Sequence, residues 1–197
     1  MRSIAEEQFQ SWSHGLLQSD EASYAELFDA SYDALHRYSM YITHDAVSAS
    51  DILQDVYLKL WQVRETIDPE RSLRALMYQM VRNYSLNHER QKKRHAAEAI
   101  EADHPSVGFD SVNDDEIDAA LLKMRLQEWI DEMPERRKEA FMLSRFEGLS
   151  HEEIASLMDL APKTVNNHIV LALQHIRKKL EAFKERESFY GSRPSNT

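Results

Sequence analysis

The sequence predicts an all-α protein of two helical domains joined by an acidic linker, the C-terminal domain containing a helix-turn-helix. Three observations carry this. Only four Gly and five Pro interrupt 197 residues, and few runs alternate β-branched with polar residues, so the punctuation and period of a sheet protein are missing. Apolar residues instead recur at three- and four-residue steps after capping boxes, in which a Ser hydroxyl and a carboxylate three residues later satisfy the first free N–H groups of a helix. Between residues 96 and 122 there is no Lys or Arg, while Glu98, Glu101, Asp103, Asp110, Asp114, Asp115, Glu116 and Asp118 gather around Pro105 and Gly108. Such a stretch has too little apolar surface to offset the entropy lost on ordering it, and it reads as a solvated linker.

The length suits this plan, being more than one small core needs and less than two large domains use. Apolar residues at 42% with 29% charged are an ordinary soluble composition. No stretch approaches the roughly 20 apolar residues that span a bilayer, so no membrane insertion is expected. The first residues, MRSIAEEQFQSWSHGLLQ, have early acids and no continuous apolar segment ending in small residues. They do not form a secretory signal, and a cytoplasmic location is expected. The absence of cysteine excludes disulfides, a thiol nucleophile and a thiolate zinc site. No cofactor and no metal site are expected.

The net charge of −10 is unevenly spread. Met1 to Val63 holds three basic residues against ten acidic ones, whereas Arg82 to Arg94 holds five basic residues and one acid. Positive charge returns from Arg136 to Leu180, with eight basic residues against five acids. Two basic surfaces therefore flank one acidic connector, and the local field matters more to a polyanionic partner than the total charge does.

Residues 1–15 are an N-terminal extension containing Phe9 and Trp12, with no role legible. The first domain spans 16–95. Its first helix is predicted to begin at the box Ser23-x-x-Glu26, with Leu27, Phe28, Leu35, Tyr38 and Ile42 on the core face. A second box, Ser48-x-x-Asp51, opens a helix whose buried stripe is Ile52, Leu53, Val56, Tyr57 and Leu60. Asp51, Gln54, Asp55 and Leu58 are left facing outwards. Asp51 and Asp55 stand one turn apart, a like-charge pair that costs an isolated helix a few tenths of a kcal/mol. The spacing fits two readings, merely solvated charges or a face kept for a basic partner.

After the turn-like IDPERS, Ser72 can cap a long helix with Leu73, Leu76, Met77, Met80, Val81 and Tyr84 inward. At about 100° per residue, Asn83, Asn87, Arg90 and Arg94 form one stripe beside the apolar face, while Arg74, Tyr78 and Arg82 lie on the opposite side. Amides and guanidinium groups hydrogen-bond base edges and phosphates, and a Tyr ring offers an unpaired base a surface worth ~1–3 kcal/mol of stacking. This is the chemistry of a strand-opening surface. A solvated basic helix end with Tyr78 and Tyr84 half-buried in the core fits the same composition.

The linker is placed at 96–122 and the second domain at 123–181. Here Leu126, Ile130 and Met133 mark one helix, and a second runs from Arg136 to about Phe146 before Gly148. Ser150-x-x-Glu153 then caps the short helix SHEEIASLM, which stops at Asp159-Leu160-Ala161 before Pro162, a residue suited to a first helical turn. That is the grammar of a helix-turn-helix. In the following helix Val165, Ile169, Ala172, Ile176 and Leu180 project to one side. Lys163, Asn167, Val170, Gln174 and Lys178 project to the other, flanked by Asn166 and Arg177, a polar row that suits a DNA major groove. A structural helical hairpin is the alternative. The tail, 182–197, is expected to be disordered.

These residues carry a resemblance. Both domains resemble the two domains of sigma factors of the extracytoplasmic-function class, within the bacterial sigma-70 family, over about Leu16 to Arg94 and Leu126 to Leu180. In the first domain the pattern runs through Leu27, Phe28, Tyr32, Leu35, Asp45, Ala49, Asp51, Ile52, Gln54, Asp55, Val56, Leu58, Leu60 and Trp61, then Leu73, Tyr78, Arg82, Asn83, Leu86 and Arg90. In the second it runs through Met133-Pro134, Arg136, Phe141, Leu143, Glu147-Gly148-Leu149-Ser150, Glu153-Ile154-Ala155, Thr164-Val165, His168, Ala172-Leu173 and Ile176-Arg177.

The resemblance implies a non-catalytic partner of RNA polymerase core that directs promoter recognition, DNA melting and transcription initiation. It implies that Asp51, Gln54, Asp55 and Leu58 dock on the coiled coil of the β′ subunit. It implies that the loop from Arg64 to Ser72, with Tyr78, Arg82, Asn83, Asn87 and Arg90, captures the melted minus-ten element. The second domain would pack on the β flap and bring Lys163, Thr164, Asn166, Asn167, His168, Val170, Leu171 and Gln174 to the minus-thirty-five duplex. An anti-sigma factor masking these surfaces is a further implied partner. Members of this class often carry Arg where Asn166, His168 and Leu171 stand, so weak duplex contacts and poor binding of promoter DNA outside the polymerase are expected.

Three rival readings remain. A stand-alone helix-turn-helix regulator leaves the Asp51 to Trp61 face without a use, and a protein-binding adaptor makes the Asn and Arg rows incidental. A metal-dependent hydrolase built on His151, Glu152 and Glu153 fails on spacing, because the second His of the helical zinc motif falls at Ala155.

Overall fold

The computed structural model describes residues 4–98 and 117–191. The chain divides into two compact units, Met1–His104 and Pro105–Thr197, and every regular element among the described residues is a helix.

The first unit opens with α1 (Glu6–Leu17), α2 (Glu21–Thr43) and α3 (Ala46–Gln62). The N-terminal extension is thus a helix, and Phe9, Trp12 and Leu16, one to two turns apart, bury one side of it against the rest of the unit. Gly15 permits the approach, since a Cβ there would lie 2.2 Å from Ser23 Oγ. Both expected capping boxes sit one turn too late. The α2 cap is Asp20, whose carboxylate accepts from Ala22 N at 3.2 Å and Ser23 N at 3.1 Å. The α3 cap is Asp45, accepting from Ser48 N at 2.9 Å. In each case the Ser hydroxyl also donates to the Asp, so the carboxylate out-competes the hydroxyl for a helix end that favours negative charge. Those bonds from Ser23 and Ser48 hold both acids below the ordinary carboxylate range.

A 3-10 turn (Arg64–Thr66) leads to α4 (Leu73–Glu98), where Ser72 Oγ accepts from Ala75 N at 3.2 Å. Leu27, Leu35, Leu53, Val56, Leu60, Leu73, Met77 and Val81 are fully buried between α2, α3 and α4, each contributing roughly 1.5–3 kcal/mol. Ser39 and Ser85 bond to each other at 3.0 Å within this interior. Tyr57 OH meets Ser31 Oγ at 2.8 Å, and burial drives its phenol pKa far up, keeping it neutral. Phe28, expected in the core, is 37% exposed.

The second unit contains α5 (Ile117–Asp131), α6 (Glu135–Arg145), α7 (His151–Met158) and α8 (Pro162–Gly191). Of the stretch expected to be linker, 96–98 belong to α4 and 117–122 to α5, and 99–116 lie outside the described residues. The tail expected to be disordered continues α8 as far as Gly191, with Phe183 edge-on to Trp129 at 6.1 Å; residues 192–197 lie outside the description. Ile130, Met133, Phe141 and Ala172 form the core of α5, α6 and α8, with Leu126 and Ile176 against them. Gly148, at φ 70°, takes the left-handed turn that lets Leu149 N reach Leu143 O at 3.1 Å and buries the Leu149 side chain. Ser150 and Glu153 form the reciprocal capping box of α7, at 3.2 and 2.7 Å. Asp159 closes α7 in a left-handed conformation, and Pro162 starts α8 two residues after Leu160.

Candidate functional site

Three surfaces gather the residues that the sequence singles out. The first is the outer side of α3, where Asp51, Gln54, Asp55 and Leu58 are all exposed, Leu58 by 57%. The inner side of the same helix is the fully packed stripe Ile52, Leu53, Val56, Tyr57 and Leu60, so the acidic row is held by a rigid scaffold. Beside it, α2 carries Tyr24, Phe28, Tyr32 and His36 at successive four-residue steps. Tyr32 stacks on His36 at 5.7 Å, and Phe28 meets Tyr32 at 5.2 Å and Tyr57 at 4.6 Å. A half-exposed aromatic ladder thus borders an acidic ridge. The i, i+4 aromatic spacing was there to be read in the sequence.

The second surface is α4. Asn83, Asn87 and Arg90 are exposed, with Arg90 Nη1 donating to Asn87 Oδ1 at 2.9 Å, and Arg82 is half-buried. Tyr78 departs from expectation. It is 4% exposed, and its ring packs on Tyr38 of α2 at 5.3 Å. A base cannot stack on it in this conformation, because α2 already covers the face. Arg74, one turn earlier, is likewise buried, under α1. Sequence reasoning grouped Arg74 with Tyr78 and Arg82 in an open strand-opening surface and gave α1 no role, although Phe9, Trp12 and Leu16 already had helical spacing.

The third surface is the N-terminal half of α8, positioned by α7 and the turn at Asp159. Lys163, Asn166, Asn167, Val170, Leu171 and Gln174 are exposed, and Thr164 and His168 are half-buried. The inward residues Val165, Ile169 and Ala172 are buried, which fixes the rotation of the helix. Burial depresses the His168 pKa below its ordinary 6.5, and the Arg137 and Arg136 cations of α6 push it the same way. Its imidazole is therefore neutral at pH 7 beside two permanent positive charges. Arg137 Nε is a buried donor that has no hydrogen-bond partner among the described residues. Beyond Lys163 these residues form a largely uncharged row of amides and apolar side chains with cationic support behind it. Among the described residues no group of His and carboxylates is arranged to hold a metal ion, and no helix is long and apolar enough to cross a membrane.

The chain matches the sigma-70 region 2 family over residues 27–95 and the sigma-70 region 4 family over residues 123–176, together more than half its length. The chain belongs to the sigma-70 family. Its relatives place this sigma factor in the extracytoplasmic-function class. It is 27% identical over 168 residues to the ECF RNA polymerase sigma factor SigL of Mycobacterium tuberculosis, covering 85% of this chain and 94% of the relative. It is 28% identical over 151 residues to the RNA polymerase sigma-H factor of Pseudomonas aeruginosa, covering 70% and 76%. In fold it is similar to the sigma factor RpoE solved in complex with the anti-sigma factor NepR from Bartonella quintana, with a TM-score of 0.64 at 18% identity over 80% of this chain and 96% of that one. It is also similar to CnrH solved in complex with the cytosolic domain of CnrY, with a TM-score of 0.59 at 18% identity over 89% and 98%. As a sigma factor, the protein serves transcription initiation. The first surface and the basic part of α4 fall inside the region 2 match, and the outward row of α8 falls inside the region 4 match.

Proposed function

We propose that this sigma factor binds RNA polymerase core through the α3 ridge and directs both promoter recognition and DNA melting. The observation that carries the reading is the outward row of α8, largely exposed on a helix whose opposite side is locked into a core. Asp51, Gln54, Asp55 and Leu58 contact the basic β′ coiled coil, and the like-charge pair Asp51 and Asp55 is then offset by the partner's cations. The second unit seats on the β flap. Lys163, Thr164, Asn166, Asn167, His168, Val170, Leu171 and Gln174 meet the minus-thirty-five duplex, where amides can bond adenine edges and the Val and Leu side chains can contact thymine methyl groups. The loop from Arg64 to Ser72, with Arg82, Asn83, Asn87 and Arg90, holds the melted minus-ten strand, and the acidic segment connects region 2 (16–95) to region 4 (123–181).

The chain acts in the cytoplasm and takes no catalytic part. A sigma factor of similar fold was solved with a named anti-sigma factor, and this supports an anti-sigma factor as a regulatory partner here. Mixing the purified chain with core polymerase and a promoter library tests the reading. Start-site-specific transcripts are expected. Duplex binding without the polymerase would support a stand-alone regulator, and the absence of both activities an adaptor. Asp55→Lys is expected to weaken core association about tenfold without altering thermal stability.

A further inference from the structure

Helix α1 lies before the residues that match the region 2 family, and none of the three surfaces uses it. It nevertheless grips both ends of the loop between α3 and α4. At the near end, Arg64 donates from Nε to Ser19 Oγ at 2.8 Å and from Nη1 to Trp61 O at 2.8 Å, with its guanidinium 4.5 Å from the centre of the Trp61 ring. Ser19 stands in the turn leaving α1, in a left-handed conformation at φ 57°. At the far end, Arg74 is 7% exposed. Its Nη2 donates to Ile4 O at 2.6 Å and pairs with Glu6 Oε2 at 3.3 Å, and its guanidinium lies 4.6 Å from the centre of the Phe9 ring.

A guanidinium this buried persists only where charge and donors are matched, and the α1 segment supplies a carbonyl, a carboxylate and an aromatic face together. Between the two arginines, Ile67 is buried, while Glu65, Thr66, Asp68, Glu70 and Arg71 are exposed. The helix also packs directly on the 3-10 turn and on α4. The loop is therefore pinned at its start, middle and end and offers polar side chains from a rigid frame. A pocket that selects one unpaired base needs such a frame, since selectivity is lost when the contacts can drift by an ångström.

We propose that α1 is the positioning element of the minus-ten loop: through Arg64 and Arg74 it sets which unpaired base the loop accepts, without touching DNA. This rests on the reading of the 64–72 loop given under the proposed function.

The test uses the full chain reconstituted with core polymerase on promoters randomised across the minus-ten element. Ser19→Gly removes the hydroxyl that Arg64 uses and at the same time relieves the left-handed backbone, so stability is kept while the tether is cut. Arg74→Met removes the far anchor, and Phe9→Leu removes its aromatic face while Phe9→Trp restores one. Ser19→Gly, Arg74→Met and Phe9→Leu are expected to flatten the minus-ten base preference about five- to tenfold, with core affinity and upstream-element choice unchanged and Phe9→Trp close to wild type. Wild-type base preference in folded Ser19→Gly, whatever the other variants do, overturns the proposal. Asp68→Ala and Glu70→Ala separate the two levels. If they shift base preference and Ser19→Gly does not, the α1 proposal falls alone; if they too leave it unchanged, the assignment of the loop falls with it.

Discussion

Helices α4 and α8, of 26 and 30 residues, carry the same kind of sequence, an apolar stripe beside rows of amides and cations, yet the fold treats their polar rows differently. In α8 the row from Lys163 to Gln174 stays largely open, because α5, α6 and α7 all lie towards the buried side of the helix. In α4 the first two turns are wrapped by α1 and α2 as well as by α3, so Arg74 and Tyr78 are buried although they lie off the apolar stripe. Beyond Arg82 the polar row of α4 emerges, and there Asn83, Asn87 and Arg90 are exposed. The same period therefore predicts exposure well for a helix covered from one side and poorly for one that is surrounded.

The sharpest way to break this contrast is Tyr78→Ala. If Tyr78 is core, the substitution costs about 3–5 kcal/mol in a denaturant titration, while Tyr78→Phe, which keeps the packed ring, costs less. Unchanged stability together with a loss of promoter opening would put the ring back on the DNA side. For α8 the expectation is the reverse. Asn167→Ala and Gln174→Ala should leave the melting temperature alone and relax upstream-element choice by about 1–3 kcal/mol per lost base contact, read from competition between promoter variants.

A smaller effect tests whether α7, which leads into the turn before α8, depends on its capping box. Ser150→Ala should lower the stability of the second unit by about 1 kcal/mol, measured by hydrogen exchange in α7. The smallest effect is the pH response of His168. Its folded pKa lies below 6.5, so as pH falls below 6.5 the unfolded chain binds its proton first and the folded state loses stability. His168→Gln should flatten that slope in melts taken between about pH 7.5 and 5.5. A phosphate near Arg136 and Arg137 would oppose the depression, so binding of promoter DNA should also take up a proton. An identical slope in the variant would remove His168 from both effects.

Much of the molecule follows from local rules. The α3 stripe, the Ser150 and Glu153 box, the left-handed Gly148 and the start of α8 at Pro162 each depend on residues within one or two turns of each other. Where two local signals compete, the stronger electrostatic one prevails: Asp20-x-x-Ser23 and Asp45-x-x-Ser48 place the charged side chain at the helix end, so α2 and α3 begin a turn earlier than Ser-based boxes suggest.

Periodicity, caps and charge distribution were enough to show that the chain is helical, that its helices fall into two groups and that a helix-turn-helix stands near its end. These properties depend on neighbours close in sequence. The burial of Tyr78 and Arg74, the seat of α1 and the anchoring of the loop by Arg64 needed the folded chain. Each depends on contacts between residues far apart in sequence, Tyr38 with Tyr78, Ile4 with Arg74 and Ser19 with Arg64, and helical period records which face a side chain occupies but not how many partners cover it.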